Sequence, residues 1–230
     1  MRSEEQYSES SNQHASSTAS GILFVAYLLL LNTSWTVWVL FGYPWLRTFG
    51  EQTLAYALIN LTVRALVFVL PIFIYLRYLD RVDPFTYLKL KQHWLRGISI
   101  GLGVAVLFLL GYLVQHGWPH LRPGALTWNS VLGTSLLIGF FEEIPYRGFV
   151  FQKLCEWMSR KSAVAISSLL FVAIHLPGWI SLHLFTWPIL IFVFVFGVLM
   201  AILFVYTKSL WAPIVSHSLN DFLSAVLFHQ

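Results

Sequence analysis

The chain predicts an all-α, polytopic transmembrane helix bundle of about seven spans with a cytoplasmic N-terminus. Three observations lead there. Of its 230 residues, 57% are apolar and only 10% are charged, against about 25% charged in soluble domains. The apolar residues fall in runs close to the roughly 20 residues that a helix needs to cross a bilayer. Short alternating segments of about ten residues, the signature of a membrane β-barrel, are missing from the pattern. Ten Trp and ten Tyr are enough to furnish aromatic belts at both interfaces.

The first 20 residues, MRSEEQYSESSNQHASSTAS, are polar and rich in Ser, and predict a disordered cytoplasmic tail. A signal peptide would begin with positive charge and lead straight into a short apolar core. Here Glu4, Glu5 and Glu9 intervene, and the next apolar run is long enough to span. The spans are expected at 21–41, 53–76, 97–116, 129–151, 163–177, 185–206 and 210–228. This divides the chain into a tail (1–20), three N-terminal spans (21–128) and a C-terminal core (129–230).

Loop charge orients the bundle. Arg2, Arg77, Arg81, Lys89, Lys91, Arg96, Lys153, Arg160, Lys161 and Lys208 fall on one side, and only Arg47 and Arg122 on the other. The basic side is cytoplasmic by the positive-inside rule. The net charge of +4 is therefore topogenic, and nucleic acid is excluded as a partner. The partners expected are membrane lipid and a peptide or protein substrate. The lone Cys155 supports neither an intrachain disulfide nor a cysteine-rich metal cluster. Localisation is multi-pass integral membrane, in the plasma membrane if the source is bacterial.

The C-terminal core holds polar residues that a bilayer penalises by about 2.5–3.5 kcal/mol each. Glu142, Glu143 and Arg147 lie in GFFEEIPYRGFVFQ, His175 lies in SSLLFVAIHLPG, and His217, Asn220 and Asp221 lie in LWAPIVSHSLNDFL. Four-residue spacing sets Glu143 with Arg147, Phe171 with His175, and His217 with Asp221, each pair on one helical face. Glu142 is turned about 100° from Glu143 and faces a different neighbour. Pro145 removes a backbone hydrogen bond and is expected to kink its helix. Counting about 1.5 Å per residue from the basic loops brings Glu142, His175 and His217 to similar depth, towards the cytoplasmic half.

One carboxylate and two imidazoles in a bundle interior can activate water. Glu142 suits a general base, His175 can share the water, and His217 can donate to a developing oxyanion. The same three groups, with water as a fourth ligand, also make a zinc set. No cofactor is favoured, and zinc on Glu142, His175 and His217 stays open. A haem or metal carrier built on bundle histidines is a second class, and a non-catalytic immunity or interaction protein is a third.

EEIPYR fits Glu-Glu-x-x-x-Arg, FVAIH fits Phe-x-x-x-His and HSLND fits His-x-x-x-Asn/Asp. In this order on separate helices they resemble the CPBP family, the CAAX proteases and bacteriocin-processing enzymes also called Abi. RGFVFQKL and SLWAPIVSHSLNDF extend the likeness over about 135–225. The resemblance implies an intramembrane endopeptidase, glutamic-type or metalloprotease. Glu142 would be its base, His175 the partner on the water, and His217 with Asp221 the oxyanion site. Glu143 and Arg147 would support the site, beside Asn220. The CAAX branch implies C-terminal processing of lipidated, prenylated or other membrane-associated substrates on the cytoplasmic side. CAAX enzymes have Asn where this chain has Asp221, and an ionised Asp cannot donate to an oxyanion.

Overall fold

A backbone threaded through hydrocarbon must satisfy its own hydrogen bonds, so each apolar run is driven into a helix. The computed structural model describes residues 2–120 and 124–228, and for 2–19 and Thr134 the backbone alone. All regular structure among the described residues is helical. Helix α1 (Arg2–Val37) continues through a π turn and a last helical turn to Arg47. The helix begins at Arg2, within the polar stretch that precedes the first span. Helix α2 (Leu54–Leu79) follows, capped by the Thr53 hydroxyl, which accepts from the Tyr56 N–H.

The basic stretch after α2 carries one short helix, α3 (Pro84–Tyr87). Asp83 caps it, and the Thr86 hydroxyl and Lys91 ammonium hold the Asp83 carboxyl below its usual pKa. Helix α4 is Trp94–His116 and α5 is a π turn at Asn129–Thr134. Helix α6 starts at Ile138, passes through a wide π segment at Ile144–Val150 and ends at Trp157. Helices α7 (Arg160–Ser181), α8 (Trp187–Thr207) and α9 (Trp211–Leu223, then a π turn to Phe228) complete the chain.

Five of these, 20–47, 54–79, 94–116, 160–181 and 187–207, are long and apolar enough to cross a bilayer. The other two expected spans are built differently. The stretch 129–151 is broken at 135–137, and the residues 141–150 of α6 are all buried in protein. The helical part of α9 is only 13 residues long, and its polar residues face the bundle. Both carry charge that lipid would reject, and both turn it inward: α9 packs chiefly on α4 and α6, and the π segment of α6 packs on α2, α7 and α8. Pro145 and Pro71 each stand at a widened π turn or directly after one, where the missing N–H is absorbed without a break.

Small residues let the interior helices approach. A Cβ at Gly139 of α6 would collide with the Ile214 carbonyl oxygen and come within 2.7 Å of the Ser218 hydroxyl on α9. That contact aligns the two acids of α6 with the histidine of α9. At the basic end the bundle is packed shut. Leu88, Phe149, Val150 and Leu210 are fully buried there. Lys153 bonds Asp80 at 2.8 Å, and the Trp211 indole donates to the Leu90 carbonyl at 2.8 Å. The loops at 80–93, 158–159 and 208–210 are thereby gathered at one end, as their charge predicts. Arg122, counted with the opposite loops, lies outside the described residues.

Candidate active site

The three polar helices bring their side chains to one point. Glu142 on α6 lies 3.7 Å from His175 on α7, measured Oε2 to Nε2. The same carboxylate oxygen is 3.9 Å from His217 Nε2 on α9. These gaps exceed a direct hydrogen bond and leave room for a water seated off each line at about 2.8 Å from both atoms. His175 Nδ1 donates to the Phe171 carbonyl at 2.8 Å. That bond leaves Nε2 of the neutral ring as an acceptor, turned towards Glu142.

Glu143 points the other way and is completely buried. Its Oε1 accepts from Arg147 at 3.2 Å, the pairing that helical spacing predicts. The same oxygen accepts from His217 Nδ1 at 2.7 Å, a contact that the spacing did not reveal. Arg147 also donates to the Gly197 carbonyl on α8 at 3.0 Å and stacks 4.3 Å above the Phe171 ring. The Phe171 ring meets His175 edge-on at 4.8 Å and lies 6.1 Å from His217. One aromatic ring thus braces the supporting cation and both imidazoles.

Asp221 Oδ2 is 3.7 Å from His217 Nε2, and the Asn220 amide donates to Asp221 Oδ1 at 3.0 Å. Asn220, expected to be turned away, is therefore tied to the same cluster. Sequence reasoning missed one member. Arg64 of α2 puts Nη1 3.7 Å from Glu142 Oε1. Its signal was an arginine in mid-span with Asn60 one turn earlier. Arg64 Nη2 donates to the Tyr43 hydroxyl (3.2 Å), which donates to Asn60 Oδ1 (3.2 Å).

Zinc held tetrahedrally at about 2.0–2.1 Å would bring its ligand atoms to about 3.3 Å from one another. The separations of 3.7 and 3.9 Å are wider, and the Arg64 cation borders the same carboxylate. No group of three or more His, Cys, Asp or Glu among the described residues meets metal-site spacing.

Two cavities flank the site. One, of about 600 Å³, runs from Glu142, Arg64 and His175 past Trp35, Phe68 and Trp179 to the exposed Arg47–Glu51 pair. The other, of about 400 Å³, is lined by Phe171, Phe196, His217, Asn220 and Asp221. His175 and Trp179 line both. Both open towards the end of the bundle opposite the basic loops. The three helices differ in depth: His217 is about 9 Å along α9 from Trp211 at the basic end. His175 is about 22 Å along α7 from Arg160 and about 9 Å from Ser181.

No curated protein and no solved structure shows a detectable match to the chain. Five helices able to cross a bilayer make it a multi-pass membrane protein. Residues 124–223 match the family described as type II CAAX prenyl endopeptidase Rce1-like, and all three motifs of this site fall within the matched segment.

Proposed function

We propose that the chain is an intramembrane endopeptidase that hydrolyses a peptide bond with water held between Glu142 and His175, without a bound metal. The observation that carries this reading is the convergence of His175 and His217, from two further helices, on one carboxylate oxygen of Glu142, with His175 on the wall that the two cavities share. The water gives one hydrogen to Glu142 Oε2 and one to His175 Nε2, which leaves a lone pair free to attack the carbonyl carbon. Glu142 takes the proton as the C–O bond forms. His217, protonated on both ring nitrogens, keeps Nδ1–H on Glu143 and turns Nε2–H to the oxyanion. Glu142 then returns its proton to the leaving amine as the C–N bond breaks. Asp221 orients His217 and, when protonated, adds a second donor.

The substrate is a membrane-associated or lipidated protein cut near its C-terminus, the CAAX-type chemistry of the matched family. The aromatic walls of the larger cavity suit apolar side chains. Loop charge supports seven crossing segments with a cytoplasmic N-terminus. On that orientation the cavities face away from the cytoplasm, and the substrate segment is one exposed at that face.

Glu142→Gln tests the mechanism. The amide cannot accept the proton, and cleavage of a substrate captured by this variant should fall by about 10²-fold or more, with folded yield unchanged. Full turnover by Glu142→Gln would remove Glu142 as the base.

A further inference from the structure

Arg64 is the most unusual side chain outside the family-matched segment. It is 6% exposed, in the middle of a spanning helix. A guanidinium offers five N–H donors. Here Nη2 serves the Tyr43 hydroxyl, while Nε and Nη1 have no hydrogen-bond partner. The nearest charge, Glu142 Oε1, is 3.7 Å from Nη1, beyond hydrogen-bond reach. Trp35 lies under the guanidinium at 5.0 Å and fixes its plane. The side chain lines the 600 Å³ cavity, whose wall combines aromatic and aliphatic side chains with Arg47, Glu51, Glu142 and His175. A desolvated cation with unpartnered donors on the wall of a cavity suits an anion that arrives with the ligand.

We propose that Arg64 receives the C-terminal carboxylate of the peptide substrate in the larger cavity. This deepens the endopeptidase reading and rests on it. A carboxylate matches a guanidinium through paired, parallel hydrogen bonds, which an unpartnered donor and the second hydrogen of Nη2 supply together. Tyr43, itself bonded to Asn60, holds Nη2 and so restrains the guanidinium in place. Arg64 and the water site are separated by the Glu142 carboxyl alone. A residue of extended chain covers about 3.3–3.6 Å, so a peptide anchored at Arg64 offers Glu142 a bond within about three residues of its end. Its side chains would lie against Trp35, Phe68, Ile174 and Trp179. An internal Asp or Glu carboxylate shares this chemistry, and the test separates the two sources.

Equilibrium dialysis of the purified full chain in nanodiscs reads binding without requiring turnover. The probes are N-acetyl-trileucine as the free acid, the same peptide as its C-terminal amide, and N-acetyl-Leu-Glu-Leu-amide. The expected result is that the acid binds about tenfold or more tightly than either amide. Arg64→Gln abolishes that preference and Arg64→Lys keeps part of it. Tyr43→Phe, which frees the guanidinium but keeps its charge, weakens acid binding and serves if Arg64→Gln fails to fold. Equal binding of acid and amides, absence of binding by all three, or a preference that survives Arg64→Gln overturns the proposal. Equal binding of the Glu-containing amide and the acid overturns the C-terminal assignment. A chain that binds the acid as expected yet cleaves nothing would sink the peptidase reading and leave the subsite standing.

Discussion

Glu143 and His217 are 74 positions apart, and a 2.7 Å hydrogen bond joins Oε1 of one to Nδ1 of the other inside the bundle. The same oxygen holds Arg147. Glu143 is therefore both the counter-ion of a buried cation and the group that sets which nitrogen of His217 faces the cavity. Glu143→Gln should leave Arg147 uncompensated, at a cost of about 3–5 kcal/mol, seen as lost folded protein in a thermal melt monitored by size exclusion. Adding Arg147→Met to Glu143→Gln should recover much of the folding and none of the proteolysis. Recovery of both would reduce Glu143 to a structural role.

Gly139 sets the spacing between the two catalytic helices. Alanine there would press on the Ile214 carbonyl and the Ser218 hydroxyl. Backbone cannot rotate away, so Gly139→Ala should cost about 1–3 kcal/mol and move Glu142 from His217. Turnover should fall further than stability. Unchanged activity would show that the helices tolerate separation. Gly103→Ala, where a Cβ meets nothing within 4 Å, is the matched control.

Zinc content separates the metal-free reading from its alternative. Purified active protein should carry substoichiometric zinc by elemental analysis, and 1,10-phenanthroline should leave turnover unchanged. Loss of activity on chelation, restored by zinc alone, would assign Glu142, His175 and His217 as ligands instead.

Orientation can be read with single cysteines. Cys155 is exposed at the basic end, and Ser181 is exposed at the cavity end. In intact cells a membrane-impermeant maleimide should label Ser181→Cys in a Cys155→Ser background. The wild-type Cys155 should react only after permeabilisation. The reverse pattern would turn the cavities to the cytoplasm.

Much of this site was legible in the sequence because helical spacing reports directly on shared faces. Glu143 with Arg147, and Phe171 with His175, needed only a four-residue period. The three motifs also named the helices that must meet. What spacing cannot encode is rotation between helices, which is why the Glu143–His217 bond stayed hidden. Arg64 stayed hidden for the same reason, since its partner Glu142 lies on a distant helix. Five of the seven expected spans are long apolar helices, and the other two differ in build because hydropathy averages over mixed content. The stretches 129–151 and 210–228 are apolar enough on average, yet their charges draw them into the bundle interior.

His175 and Trp179 form a partition with a chamber on either side. A peptide filling the aromatic chamber would displace the solvent there, and a hydrolase with a single entrance would then be starved of its second reactant. The chamber beside Asp221 stays free and meets the partition from behind. Solvent can replenish the reactive position through it while the peptide is still seated, so hydration and docking need not compete for one doorway.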